Sequence, residues 1–183
     1  MNSKLNEVNL CVLHSFELEI PIAILGITHC SKGLHQVKFK QINLNKSDKK
    51  IRLVESISSL SDDNYLIRET LNFFESYFLK KNSSSLELPK LCWSSLFKKE
   101  NTFGERVLRE LIKVKFGTRI SYSELALRSG SKNAQRAVGT LMKNNKIALI
   151  IPCHRVVKSN NSDIGNYNFG VDVKQWLLEH ETN

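Results

Sequence analysis

Two short strings in the C-terminal half constrain this chain more than any other feature: TFGE at 102–105 and SYSE at 121–124. In each, a hydroxyl residue stands three positions before a glutamate. A side-chain oxygen there can accept the amide of the third helical residue, while the glutamate reaches back to the cap, so both strings open helices. The first leads into Val107, Leu108, Leu111 and Ile112, spaced to lie on one helical face. The second predicts a short helix that stops at Gly130. After SGSK a third helix is expected to begin near Asn133, carrying Ala134, Arg136, Ala137, Val138, Leu141 and Met142. Two short helices across a tight glycine-containing turn fit either a helix-turn-helix or a plain helical hairpin in a core. Charge favours the first. From Ile120 to Asn160 the chain has seven basic residues and one acid, Glu124, a balance suited to a polyanion such as nucleic acid.

The N-terminal half reads differently. Residues 8–42 form strand-like runs rich in Val, Ile, Leu and Phe, with Leu34, Val37 and Phe39 alternating with polar residues after a CSKGL turn. NLNKSDKK at 43–50 is a polar loop. Residues 63–81 place Leu66, Phe73, Phe74, Tyr77 and Phe78 on one helical face, and NSSS at 82–85 ends that helix. Residues 86–101 lack periodicity, contain Pro89 and read as a linker. The expected architecture is α+β. A small sheet-plus-helix domain over 1–95 precedes a helical, winged-helix-like domain over 96–183. No apolar run approaches the roughly 20 residues of a membrane span, and the N-terminus lacks a basic-then-apolar leader, so an intracellular protein without a membrane partner is expected. The cysteines at 11, 30, 92 and 153 are then thiols or metal ligands rather than disulfides.

The string IIPCHRVV at 150–157 is the chemical focus. Pro152 cannot continue a helix, so Cys153 falls on a turn anchored by the apolar run before it. A thiolate is the nucleophilic form of cysteine. His154 is poorly placed to take the proton directly from its neighbour, and a bridging water would solve that. A third group should orient the histidine. Glu179 and Glu181 on the last predicted helix are the available carboxylates.

Four segments together, GTRISYSELA, NAQRAVGTLMKNN, IIPCHRVV and GNYNFGVDVKQWLLEHE, resemble the O6-alkylguanine-DNA alkyltransferases, also called methylated-DNA–protein-cysteine methyltransferases. The likeness runs from about Phe103 to Glu181. It implies repair of DNA by transfer of an alkyl group from O6 of guanine to the protein's own Cys153, once per molecule, with no cofactor for catalysis. The resemblance also implies that His154 acts through a water and that Glu181, within the HE pair ending the last helix, orients it. Tyr122 would act at guanine N3, and Asn145 would tie the recognition helix to the active-site turn. Arg136 would fill the space left by a nucleotide flipped out of the duplex. The helix-turn-helix would enter the minor groove, where the small Ala134, Ala137 and Gly139 keep its approach close and Gln135 and Arg155 add DNA contacts. The carbonyls of Cys153 and Val156, the amide of Asn168, and Tyr167 and Phe169 would line the base pocket. Phe169 stands where many members have glycine, and a phenyl ring at the pocket lip would narrow it, so that methyl adducts are accepted while benzyl-sized ones react poorly. The loop at 159–165 looks one residue longer than a common form, and Lys146 and Ala148 stand where some members have prolines.

Some members of that family carry a structural zinc, and the spacing of Cys11, Cys30 and His35 resembles its site. Cys92 falls near the fourth ligand, a histidine in those members, while His14 and His29 are alternatives. The partner expected is double-stranded DNA, bound by a monomer, in the nucleus of a eukaryote or otherwise the cytoplasm. The alternative function is non-enzymatic binding of alkyl lesions, as in alkyltransferase-like proteins, which lack the acceptor cysteine. A helix-turn-helix regulator with an incidental cysteine and a cysteine hydrolase are further rivals.

Overall fold

The computed structural model describes residues 11–45, 51–56, 65–79, 86–159 and 163–182. The expected strand start at residue 8, part of the polar loop (46–50), the helix stop at 82–85 and the centre of the longer loop (160–162) lie outside them, as do residues 1–10.

Four antiparallel strands form the N-terminal sheet: β1 (His14–Ile20), β2 (Ala23–Cys30), β3 (Gly33–Ile42) and β4 (Arg52–Ser56), in the order β3-β2-β1-β4. Alternation decides which face is covered. Phe16, Leu18, Ile20, Leu25, Ile27, Val37 and Phe39 are buried, with half-buried or exposed residues between them. Helix α1 (Tyr65–Phe78) buries Phe73, Phe74, Tyr77 and Phe78 into the same apolar cluster. Full burial of each such side chain is worth about 1.5–3 kcal/mol.

Residues 86–101 are more than the expected linker. Leu34 donates its amide to the Lys90 carbonyl (2.8 Å), and its own carbonyl accepts from Cys92 (3.0 Å), so residues 90–92 run beside β3 before the short helix α2 (Trp93–Leu96). Gly33 makes that approach possible. Its φ is +136°, and a Cβ there would lie 2.6 Å from the Lys90 carbonyl oxygen. A segment without periodicity thus gains its structure from an unsatisfied sheet edge, which residue patterning does not reveal.

Both expected capping boxes form. The Thr102 side chain accepts from the Glu105 amide (3.2 Å) at the start of α3 (Phe103–Ile112), and Ser121 accepts from Glu124 (3.1 Å) at the start of α4 (Tyr122–Arg128). Gly130 follows in the left-handed region (φ +84°), and α5 (Gln135–Lys143) begins after it with Ala134 as cap, next to the expected start near Asn133. Two-residue strands β5 (Ile120–Ser121) and β6 (Val156–Val157) pair in parallel on either side of this unit. A 3₁₀ turn, Cys153–Arg155, precedes β6, and α6 (Val171–Thr182) closes the described chain. The fold is α+β, an N-terminal sheet followed by a helical domain. A second stitch joins the halves: Val37 of β3 donates to the Lys146 carbonyl (2.8 Å) and accepts from Ala148 (3.2 Å).

Candidate active site

Pairing of Ile120 with Val156 and of Ser121 with Val157 fixes the start of α4 against the turn that holds Cys153. Ser121 caps the helix, so Tyr122 is its first residue and stands beside the thiol. Asn145, two residues beyond α5, holds the other side. Its Nδ2 donates to the Ile151 carbonyl (2.9 Å) and to Cys153 Sγ (3.1 Å), and its Oδ1 accepts from the Ile147 amide (3.0 Å). Burial pushes the Cys153 thiol above its ordinary value. The Asn145 hydrogen bond, the Lys174 ammonium and the nearby Tyr167 hydroxyl act in the opposite direction.

Behind the thiol lies a buried relay. His154 Nε2 is 2.7 Å from Glu181 Oε1, and both side chains are shielded from solvent. Arg155 grips the same carboxylate, its Nε 2.9 Å from Oε2 and its Nη2 3.0 Å from Oε1, and spends Nη1 on the Val114 carbonyl (2.6 Å). Tyr77 of α1 donates to Oε1 at 2.7 Å. Burial alone would raise the Glu181 carboxyl, but its His154 and Arg155 partners more than offset that and hold it well below the usual carboxylate range. Burial keeps His154 below its ordinary value, against the pull of Glu181, so the imidazole is neutral at pH 7. An Nε2–H donated to Glu181 leaves Nδ1 as the basic nitrogen, and Nδ1 is buried without a protein partner among the described residues.

Cys153 opens onto a cavity of about 840 Å³, walled by Tyr122, Gln135, Arg136, Gly139, Tyr167 and Asn168. Gln135, Arg136 and Ala137 are exposed on α5, Ala134 and Gly139 half-buried, while Val138 and Met142 face inward. Burial and the Cys153 charge raise the Tyr122 hydroxyl above its ordinary value. Lys174 is fully buried, donates to the Val156 carbonyl (2.7 Å), and is lowered by burial to about 8. That carbonyl, expected to face a guanine amine, has one lone pair left for it.

Two expected site residues lie away from the cavity wall. Arg155, expected to contact DNA, is 6% exposed, with its guanidinium paired to Glu181 in the interior. Phe169 does not wall the cavity. Its ring packs on Phe39 of β3 (centroids 4.7 Å apart) and on Tyr167 (5.5 Å), since the sheet offers it apolar surface.

In the N-terminal half, the donor atoms of Cys11, Cys30, His35 and Cys92 all lie within 4.8 Å of one another. His35 Nε2 is 3.1 Å from Cys30 Sγ, and the Cys11 and Cys92 sulfurs are 4.0 Å apart. Neighbouring thiols and burial push the Cys11 thiol up to about 11. His14 and His29 stand outside this group and face each other across β1 and β2, ring centroids 5.6 Å apart and planes tilted by 30°.

Sequence reading missed Tyr77, Lys174 and the true place of Arg155. For Lys174 a signal existed: with Val173, Leu177, Leu178 and Glu181 it shares the buried face of α6, where an unpaired charge would be costly. Tyr77 had none, being one aromatic among several on an apolar stripe.

Comparison with known proteins agrees with this geometry. Residues 102–183 match the family model described as 6-O-methylguanine DNA methyltransferase, DNA binding domain. The methylated-DNA–protein-cysteine methyltransferase of Cricetulus griseus is 37% identical over 166 residues, covering 88% of this chain and 78% of that protein. The Homo sapiens protein of the same name is 34% identical over 172 residues, covering 93% and 81%. Among solved structures, a Mycobacterium tuberculosis O6-methylguanine methyltransferase superposes with a TM-score of 0.66 at 24% identity, covering 93% of each chain, which shows the shared fold. A protein built on this fold, with its thiol, relay and basic helix in these positions, belongs to the methylated-DNA–protein-cysteine methyltransferase family.

Proposed function

We propose that Cys153 is the acceptor in a direct, single-use repair of O6-alkylguanine in duplex DNA. The observation that carries this reading is the position of its sulfur: bonded to Asn145, at the mouth of a cavity walled by Tyr122 and Arg136, with the His154–Glu181 pair behind it. The thiol proton passes through a water to His154 Nδ1, and the resulting imidazolium is stabilised by Glu181. The thiolate attacks the alkyl carbon. A sulfur–carbon bond forms, the carbon–O6 bond breaks, and its electron pair goes to the guanine. Hydrogen bonds from Tyr122 at N3 and from the Asn168 amide at O6 stabilise that charge, which is greatest as the bond breaks. Guanine leaves neutral when Tyr122 passes its hydroxyl proton to N3. The proton on the His154 imidazolium returns through water to Tyr122, so both groups end as they began, and the thioether cannot be reversed by any group in the site.

DNA engages α5 by its exposed face. The small residues Ala134, Ala137 and Gly139 allow a minor-groove approach, and Arg136 takes the place of a flipped nucleotide. The protein acts as a monomer. We place the division between the two halves at 95/96, within α2.

Cys11, Cys30, His35 and Cys92 fit a structural zinc. Three sulfurs and one imidazole nitrogen are a soft set, gathered closely enough to close a tetrahedral shell. These residues would hold the N-terminal segment to β3 and to residue 92, and the metal would serve folding rather than chemistry. Metal analysis should find one zinc per chain, and a chelator should lower the melting temperature. Zinc-free protein with unchanged melting would remove this assignment.

The deciding experiment for the activity is intact-protein mass spectrometry after incubation with a duplex carrying one O6-methylguanine, with Cys153→Ala in parallel. Gain of one methyl group, mapped to Cys153 and absent in the variant, is expected. Lesion-selective binding without any gain would instead make the protein a non-enzymatic lesion binder.

A further inference from the structure

Glu181 receives more donors than are needed to orient one histidine. Oε1 is approached by His154 Nε2 at 2.7 Å, Arg155 Nη2 at 3.0 Å and the Tyr77 hydroxyl at 2.7 Å, and Oε2 by Arg155 Nε at 2.9 Å and the Gly117 amide at 3.0 Å. All of these come from the C-terminal half except one. Tyr77 is on α1, 104 residues away in sequence from the carboxylate it binds. Its ring packs among Phe73, Phe78 and Phe116. A phenylalanine would serve that packing equally well. The hydroxyl is costly to bury unless it is bonded, and its short bond is to Oε1.

The Tyr77 oxygen is also 3.4 Å from His154 Nε2. His154 Nε2 and the Tyr77 hydroxyl therefore approach the same carboxylate oxygen side by side, with Arg155 as its third partner. An unprotonated Nε2 would point a lone pair at that anion, so the arrangement requires the proton on Nε2 and leaves Nδ1 basic. We infer that the Tyr77 hydroxyl is a positioning group for the alkyl transfer, holding Glu181 and His154 in the register that keeps Nδ1 as the proton acceptor. The N-terminal half thereby supplies a working part of the relay. This inference rests on the repair function proposed above.

The charged and titratable groups around Tyr77 and His154 are few. The active-site turn contributes Cys153 and Arg155, α6 contributes Lys174, His180 and Glu181, and the loop before α6 contributes Tyr167. Removing the hydroxyl leaves Oε1 with one donor fewer. The carboxylate becomes more basic and binds the imidazolium proton more tightly, so His154 stays protonated to higher pH.

The test is the rate of methyl transfer from an O6-methylguanine duplex as a function of pH, for wild type, Tyr77→Phe and Phe78→Leu. Tyr77→Phe should have its acidic limb moved up by about one pH unit, reacting about tenfold more slowly on that limb, with the difference narrowing as pH rises through 7. Phe78→Leu, a core change that leaves the relay intact, should lower the melting temperature without moving the limb. A folded Tyr77→Phe with the wild-type limb and rate overturns the inference. If that variant fails to fold, nitrogen NMR of His154 in the wild-type protein still decides: the Nε2–H tautomer is expected at pH 7, and an Nδ1–H tautomer overturns the inference. Absence of any methyl transfer in wild type would count against the repair function itself, whereas the NMR reads the relay without DNA.

Discussion

Asn145 makes three kinds of contact at once: it accepts from one amide, donates to one carbonyl and donates to the reactive sulfur. The last is the contact that matters chemically, because burial alone would hold Cys153 as an unreactive thiol. Asn145→Ala should therefore slow methyl transfer about tenfold at pH 7 and move the thiolate limb of the pH–rate profile to higher pH. A pH series on wild type and variant checks this, and a slower variant whose limb has not moved would mean that the side chain only supports the loop. Phe169 gives a prediction of the opposite kind. Since its ring lies on Phe39, outside the cavity wall, Phe169→Gly should change the rate of inactivation by benzylguanine by less than about threefold. A ring seated on Phe39 and Tyr167 contributes packing rather than exclusion.

Helix starts do the positioning at the scale of elements. The Ser121 cap sets the first turn of α4, and Tyr122 is the residue that turn presents to the thiol. Ser121→Ala should cost about 1 kcal/mol in thermal unfolding and slow transfer more than Thr102→Ala, which costs the same at α3 without touching Tyr122. Equal rates in the two variants would sever the link between cap and chemistry. Both capping boxes were legible in the sequence because a cap is a local device whose residues are neighbours in the chain. The short α2 and the run of residues 90–92 beside β3 were not, because their partner is the backbone of Leu34, more than fifty positions upstream.

Glu181 acts at the scale of the molecule: through one carboxylate it joins α6, the Cys153 turn, the Gly117 loop and α1. Its carboxyl is depressed in the folded protein, so its contribution to stability is fully present above the unfolded value of about 4.3. That contribution is lost as pH falls toward the much lower folded value. Glu181→Gln leaves Arg155 buried without a counter-charge and should cost about 3 kcal/mol at pH 7. The gap to wild type should shrink as the pH of the melting experiment is lowered below 4. A gap that is constant with pH would mean the carboxylate is not held charged by its partners.

The sequence by itself determined the alternating strands, the capped helices, the basic bias around α5, and a cysteine–histidine pair on a proline-set turn. Each is written in residues that lie close together, where pattern and local sterics suffice. The resemblance of 103–181 to a known family, carried by motifs, added roles for Tyr122, Arg136 and Asn145 that spacing alone does not assign. Only the tertiary structure decided that Arg155 pairs with Glu181 in the interior, that Phe169 lies on the sheet, that Lys174 is buried at the Val156 carbonyl, and that Tyr77 reaches the relay from the other half of the chain. These are all matters of where a charge or a hydroxyl finds its partner once water is excluded. Burial makes such a partner obligatory, but it does not require that the partner be near in sequence.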